Sequence, residues 1–95
     1  MSHIDVRARH SMSQKDAQVA ANELAGDLAN KFDIDYGWDG DHIHFERSGV
    51  HGVITVRENE IRIKAVLGLM LIFLKPRIEA EIVEYLETHF GCSFD

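Results

Sequence analysis

The sequence has one cysteine, so no disulfide can close within the chain and no paired-cysteine metal or redox motif can be built from it. It has one proline and seven glycines, too few for a long disordered linker between domains. Cations are scarce. Ten Lys and Arg stand against sixteen Asp and Glu, a formal charge of −6, and a phosphate backbone would find no cationic cluster to neutralise it. No nucleic-acid partner is expected. Long apolar runs are also missing: the longest, within "AVLGLMLIFLKP" (residues 65–76), falls well short of the roughly 20 residues a spanning helix needs. The opening "MSHIDVRARH" lacks the apolar centre of a secretory signal. These absences predict a protein of the reducing cytoplasm with no membrane span.

What is present fits one small folded unit. With 95 residues, 45% hydrophobic and 27% charged, the chain can bury about 60–65% of its unfolded surface, enough for one modest core. Residues 1–95 therefore read as one α+β domain, with 91–95 as a short tail. Ile4, Val6 and Ala8 alternate with charged residues, the period-two pattern of a half-buried strand. Ser13 follows as an N-cap, and Met12 and Ala17 are spaced as a hydrophobic staple. Ala17, Ala20, Ala21, Leu24, Ala25, Leu28, Ala29 and Phe32 then recur at three and four, which predicts a helix to about Phe32.

From Asp33 to Leu67 the period returns to two, with turns expected at Asp39-Gly40, Ser48-Gly49 and Glu58-Asn59. Two-residue loops place Trp38 opposite Asp41, Arg47 opposite Val50 and Arg57 opposite Glu60. Carried across four strands, that parity collects Ile34, Tyr36, Trp38, Ile43, Phe45, Ile54, Val56, Ile61, Ile63, Ala65 and Leu67 on one face, with Asp41 its only charged member, at a strand end. The other face takes Asp35, Gly37, His42, His44, Glu46, His51, Val53, Thr55, Arg62 and Lys64. Pro76 opens a second helix whose apolar stripe holds Ile78, Ile82, Tyr85, Leu86, His89 and Phe90, with Gly91 as its stop. The expected fold is a two-layer β-α-β-β-β-β-α sandwich, an antiparallel sheet of order 1-5-4-3-2 with both helices on one face.

Six histidines raise the question of a metal. The parity puts His42, His44 and Glu46 on one face of a strand and His51 opposite Glu46, a weak candidate set because an open strand face offers nothing to orient the rings. Solvated strand positions are the preferred reading, with no metal and no cofactor. His89 reads as a partly buried helix-end residue and Cys92 as structurally incidental. "DIDYGWDGD" lacks the closing glutamate of a calcium loop. No nucleophile elbow, phosphate loop or H-E-x-x-H pattern occurs, so no enzyme is expected. Tyr36, Trp38 and Phe45 could line a ligand pocket, but their parity assigns them to the core. The run Leu69, Met70, Leu71, Ile72, Phe73 and Leu74 joins strand to helix, where connections are normally polar. It either closes one end of the core or forms an apolar interaction patch.

The opening "MSHIDVRARHSMSQKDA", the hairpin "WDGDHIHFERSGVHGVITV" and "IRIKAVLGLMLIFLKPRIEAEI" resemble the polyhydroxyalkanoic acid system family, over nearly the whole chain up to about residue 90. The tail "GCSFD" lies outside the resemblance. The resemblance implies association with bacterial polyhydroxyalkanoate storage granules and transfers no site residues. The partner expected on that basis is the granule surface, or a granule protein, bound through residues 69–74. A homodimer through the same patch stays open as an alternative, as does a hydroxyacyl or lipid-like ligand bound near Tyr36, Trp38 and Phe45.

Overall fold

The computed structural model describes residues 2–91 and the backbone of residues 93 and 94. Cys92 lies outside the described residues. Strand β1 (Ser2–Arg9) leads into helix α1 (Gln14–Phe32), a four-strand meander β2 (Asp35–Asp39), β3 (His42–Arg47), β4 (Val50–Val56) and β5 (Glu60–Leu67), a 3₁₀ helix (Leu69–Leu74) and helix α2 (Lys75–Tyr85). A π-helical turn, Leu86–Phe90, ends α2, and a two-residue strand β6 (Ser93–Phe94) lies beside β1. The five long strands are antiparallel throughout and ordered 1-5-4-3-2, as the sequence predicts, with the two helices packed against one face.

Local chemistry accounts for the boundaries. The Ser13 hydroxyl accepts the Asp16 N–H at 3.1 Å and so satisfies one of the free donors at the start of α1. At its other end Asp33 adopts the left-handed conformation, φ 56°, and Arg47 donates to the Phe32 carbonyl at 2.8 Å. Between these caps Ala17, Ala20, Ala21 and Ala25 are buried, and their small side chains let α1 lie close to the sheet. Ile4, Leu24, Ile43, Ile54, Ile61, Leu67, Ile82 and Leu86 form the fully enclosed centre.

Two of the three hairpins have the expected register: Arg47 pairs with Val50, and the Arg57 N–H donates to the Glu60 carbonyl at 2.8 Å. The first differs. Its loop is Gly40-Asp41, and Trp38 pairs with Ile43 instead of Asp41. Gly40 has φ +63° while Asp41 stays out of the positive-φ region, a pattern that wants glycine first in the loop. The slip is two residues, so it returns every side chain to the face its parity assigns.

His10, which the sequence reading did not single out, is buried between these elements. Its Nε2 lies 3.0 Å from the Arg57 carbonyl and its Nδ1 accepts the Met12 N–H at 3.2 Å, so one ring ties the β4–β5 turn to the chain entering α1. That spacing of 47 residues leaves no local signal in the sequence.

Candidate functional site

The run after β5 is the part of the molecule where composition and position conflict most. Gly68 leaves the strand with its N–H donated to the Gly49 carbonyl at 2.8 Å, which pins the chain to the β3–β4 turn. A 3₁₀ helix has three residues per turn, so positions three apart lie in line. Leu71 and Leu74 share one row, half-buried against the core. Met70 and Phe73 share the opposite row, 85% and 70% exposed, and Leu69 is 78% exposed beside them, with Ile72 at the margin. The segment reads in sequence as six candidate patch residues; the fold divides it into two that close the core and four that face outward. Pro76 then enters α2 in its first turn, where a missing N–H is harmless.

Tyr36 and Trp38, assigned to the core by parity, are exposed at about two-fifths of their surface. Parity places them on the helix-covered side correctly, but β2 is an edge strand that α1 covers only in part. Trp38 Nε1 donates to Asn22 on α1 at 2.8 Å, and the Tyr36 ring tilts over Phe45 at 6.3 Å. Tyr36 and Trp38 thus lie at the exposed edge of the sheet, whereas Phe45 is buried. Phe45 lines an apolar void of about 30 Å³ between sheet and helices, room for about one water molecule.

On the open face His51 does stand opposite Glu46, and His42 and His44 share a strand. His42 is taken up by the Thr55 hydroxyl at 3.0 Å, and His44 sits 3.6 Å from Asp39. Among the described residues no three His, Cys, Asp or Glu side chains converge as a metal shell requires.

His89 is exposed, contrary to the partly buried position expected of it: it stacks on Tyr85 one helical turn earlier, ring centres 4.0 Å apart. Tyr85 in turn donates to Glu23 of α1 at 3.2 Å. Burial, with the Glu23 carboxylate second, pushes the Tyr85 phenol up to about 12. A group raised in the folded state stabilises fully below its unfolded value near 10 and loses that contribution as pH climbs from there toward 12. Tyrosinate absorbance in a Tyr36→Phe background is expected to titrate near 12, and Glu23→Gln to lower that midpoint only in part, since burial is the larger cause. A midpoint at the ordinary value would show that the ring is not packed between the helices. Nearby, Lys31 bridges Glu81 at 2.9 Å and Asp27 at 3.6 Å, clamping α1 to α2. Burial, and the adjoining Glu81, raise the Asp27 carboxyl above its usual range, while Lys31 holds Glu81 below its own.

With that geometry in place, comparison with known proteins adds three findings. No curated protein matches this sequence. A solved structure described as "NMR structure of PA4090 from Pseudomonas aeruginosa" superposes with a TM-score of 0.58 at 4% identity, covering 100% of this chain and 96% of that one, which is a likeness of fold. No helix among the described residues is long and apolar enough to cross a membrane. The profile of the family described as "Putative polyhydroxyalkanoic acid system protein" matches residues 4–90, and the chain belongs to that family.

Proposed function

We propose that this protein is a non-enzymatic component of the polyhydroxyalkanoate system that holds to an apolar granule surface, or to a granule protein, through Leu69, Met70, Ile72 and Phe73. The observation that carries this reading is the exposure of Leu69, Met70 and Phe73 over 70–85% of their surface, three large apolar side chains on one short helix. A polyester granule is an apolar solid in water, and covering such side chains releases about 1.5–3 kcal/mol each when burial is complete. Immobilising the protein offsets part of that gain. The acidic body, with its charge of −6, would face the solvent and keep coated granules apart by repulsion.

The test is cosedimentation with polyhydroxyalkanoate particles. Changing Leu69, Met70 and Phe73 together to Ser is expected to weaken binding by about tenfold to a hundredfold, if a third of the burial energy is realised. The fold should be unaffected, because none of the three contributes to the enclosed core. A folded triple variant that binds particles as well as the parent would sink the proposal. If instead the parent sediments as a dimer without polymer and the triple variant does not, the same patch serves self-association.

A further inference from the structure

The face of the sheet opposite the helices carries a second surface with its own pattern. It holds a shallow trough of about 710 Å³ bordered by His3, His44, Glu46, His51, Lys64 and Val66. The strand register sorts its charges by column. On β2 and β3 the outward residues include Asp35, Asp39 and Glu46 and no Lys or Arg. On β5 and β1, at the other side, they include Arg7, Arg9, Arg62 and Lys64 against Asp5 and Glu60. Between them, β4 presents His51, Val53 and Thr55. In a chain with six more acidic than basic residues, four of the ten cations sit on this one half-face. The two halves are therefore opposite in sign, with half-buried Val53, Thr55 and Val66 along the seam. The histidines are spread over both halves and carry no part of the match.

We infer that this face is the contact of a two-fold dimer, the occupant being a second copy of the chain. A two-fold axis along β4 lays β2 of one copy over β1 of the other, and β3 over β5. By the strand register Asp39 of each copy then lies over Arg7 of its partner, while Asp35 and Glu46 lie over His3 and Val66 on the half-face that carries the cations, twice over, as an isologous contact demands. Sheets pack face to face at about 10 Å with strands within about 30° of parallel, a spacing that side chains of this size fill. Five strands about 4.8 Å apart and about 20 Å long give a footprint of roughly 500 Å². Side-chain relief brings each copy toward the roughly 800 Å² of a standard specific interface. The Arg62 guanidinium, paired to both oxygens of Asp5 at 3.0 and 3.2 Å, is already engaged and holds the Asp5 carboxyl below its usual range, which leaves Lys64 and Arg7 as the groups to vary. Arg7 keeps only a long 3.7 Å contact to Glu60.

Charge exchange in trans tests this directly, read by sedimentation. Arg7→Glu/Lys64→Glu and Asp35→Lys/Asp39→Lys are each expected to weaken self-association by about tenfold or more, and an equimolar mixture of the two to restore a dimer. The parent dimer should also weaken by about tenfold between roughly 0.05 and 0.5 M salt, as the Debye length shortens. This salt response needs no variant to fold. A parent that is monomeric at low salt, or folded variants whose mixture stays monomeric, would overturn the inference. So would a dimer that ignores salt and is abolished by serines at Leu69, Met70 and Phe73, since it would belong to the other surface.

Discussion

Phe45→Ala is expected to destabilise the protein by about 3–5 kcal/mol, at the upper end of core truncations. Phe45 is buried on the inner face of β3 directly opposite Gly52, so the ring covers a position with no side chain of its own. It also borders the one-water void between sheet and helices, and removing it enlarges a space that already exists. Collapse cannot refill it from below: a Cβ at Gly52 would lie 3.1 Å from both the Ala65 Cβ and the Lys64 carbonyl, so no larger residue enters there without moving backbone. A chain of this length is stable by about 5–14 kcal/mol, so the loss would lower the melting midpoint by more than roughly 12 °C. Urea unfolding measures it. A loss under about 1 kcal/mol would mean that Phe45 is not what closes the sheet over Gly52.

Gly49→Ala should cost about 2 kcal/mol and, unlike Phe45→Ala, should act at the contact between the β3–β4 turn and Leu71 of the 3₁₀ helix. Gly49 has φ +89° in the β3–β4 turn, where an L side chain is strained by about 1–2 kcal/mol. Its new Cβ would also lie 3.0 Å from Leu71 Cδ1, the side chain that seats the 3₁₀ helix. Cδ1 is the far end of a half-buried side chain, so Leu71 must give by a few tenths of an ångström, on the same short helix that carries Met70 and Phe73. Leu71→Ala in the Gly49→Ala background should recover the contact part and leave the dihedral part. A double-mutant cycle by urea unfolding is expected to give a coupling of about 0.5–1 kcal/mol. Strict additivity would show that turn and helix do not bear on each other.

Much of this architecture is legible in one dimension because strand alternation repeats every two residues. The first hairpin makes the point: its loop lies one residue later than the Asp39-Gly40 pair suggests, yet Ile43 and Phe45 stay inside and His42 and His44 outside. A slip of two is invisible to a period of two. Ser13 and Gly91 are equally plain, since capping depends on a side chain and its next few neighbours. His10 was not legible, because its partner carbonyl at Arg57 is brought to it only by the β1–β5 pairing. The position of His89 was half legible: helical spacing put it beside Tyr85, but the same spacing could not say that both rings lie at the rim of the α1–α2 seam.

The chain's own order of residues determined which side of each strand is apolar, where the helices begin, and that the segment from Leu69 to Leu74 carries more apolar surface than a connection needs. Only the assembled layers decided how far cover extends. Two helices, each about 10 Å across, lie over a sheet about 24 Å wide, so the edge strand β2 keeps Tyr36 and Trp38 in partial contact with water. The same limit decided that Leu71 and Leu74 would pack half-buried against the core while Met70 and Phe73 stayed outside. Alternation is a local property of the backbone, whereas burial depends on how much surface the neighbouring elements can offer, and that quantity exists only after they have packed.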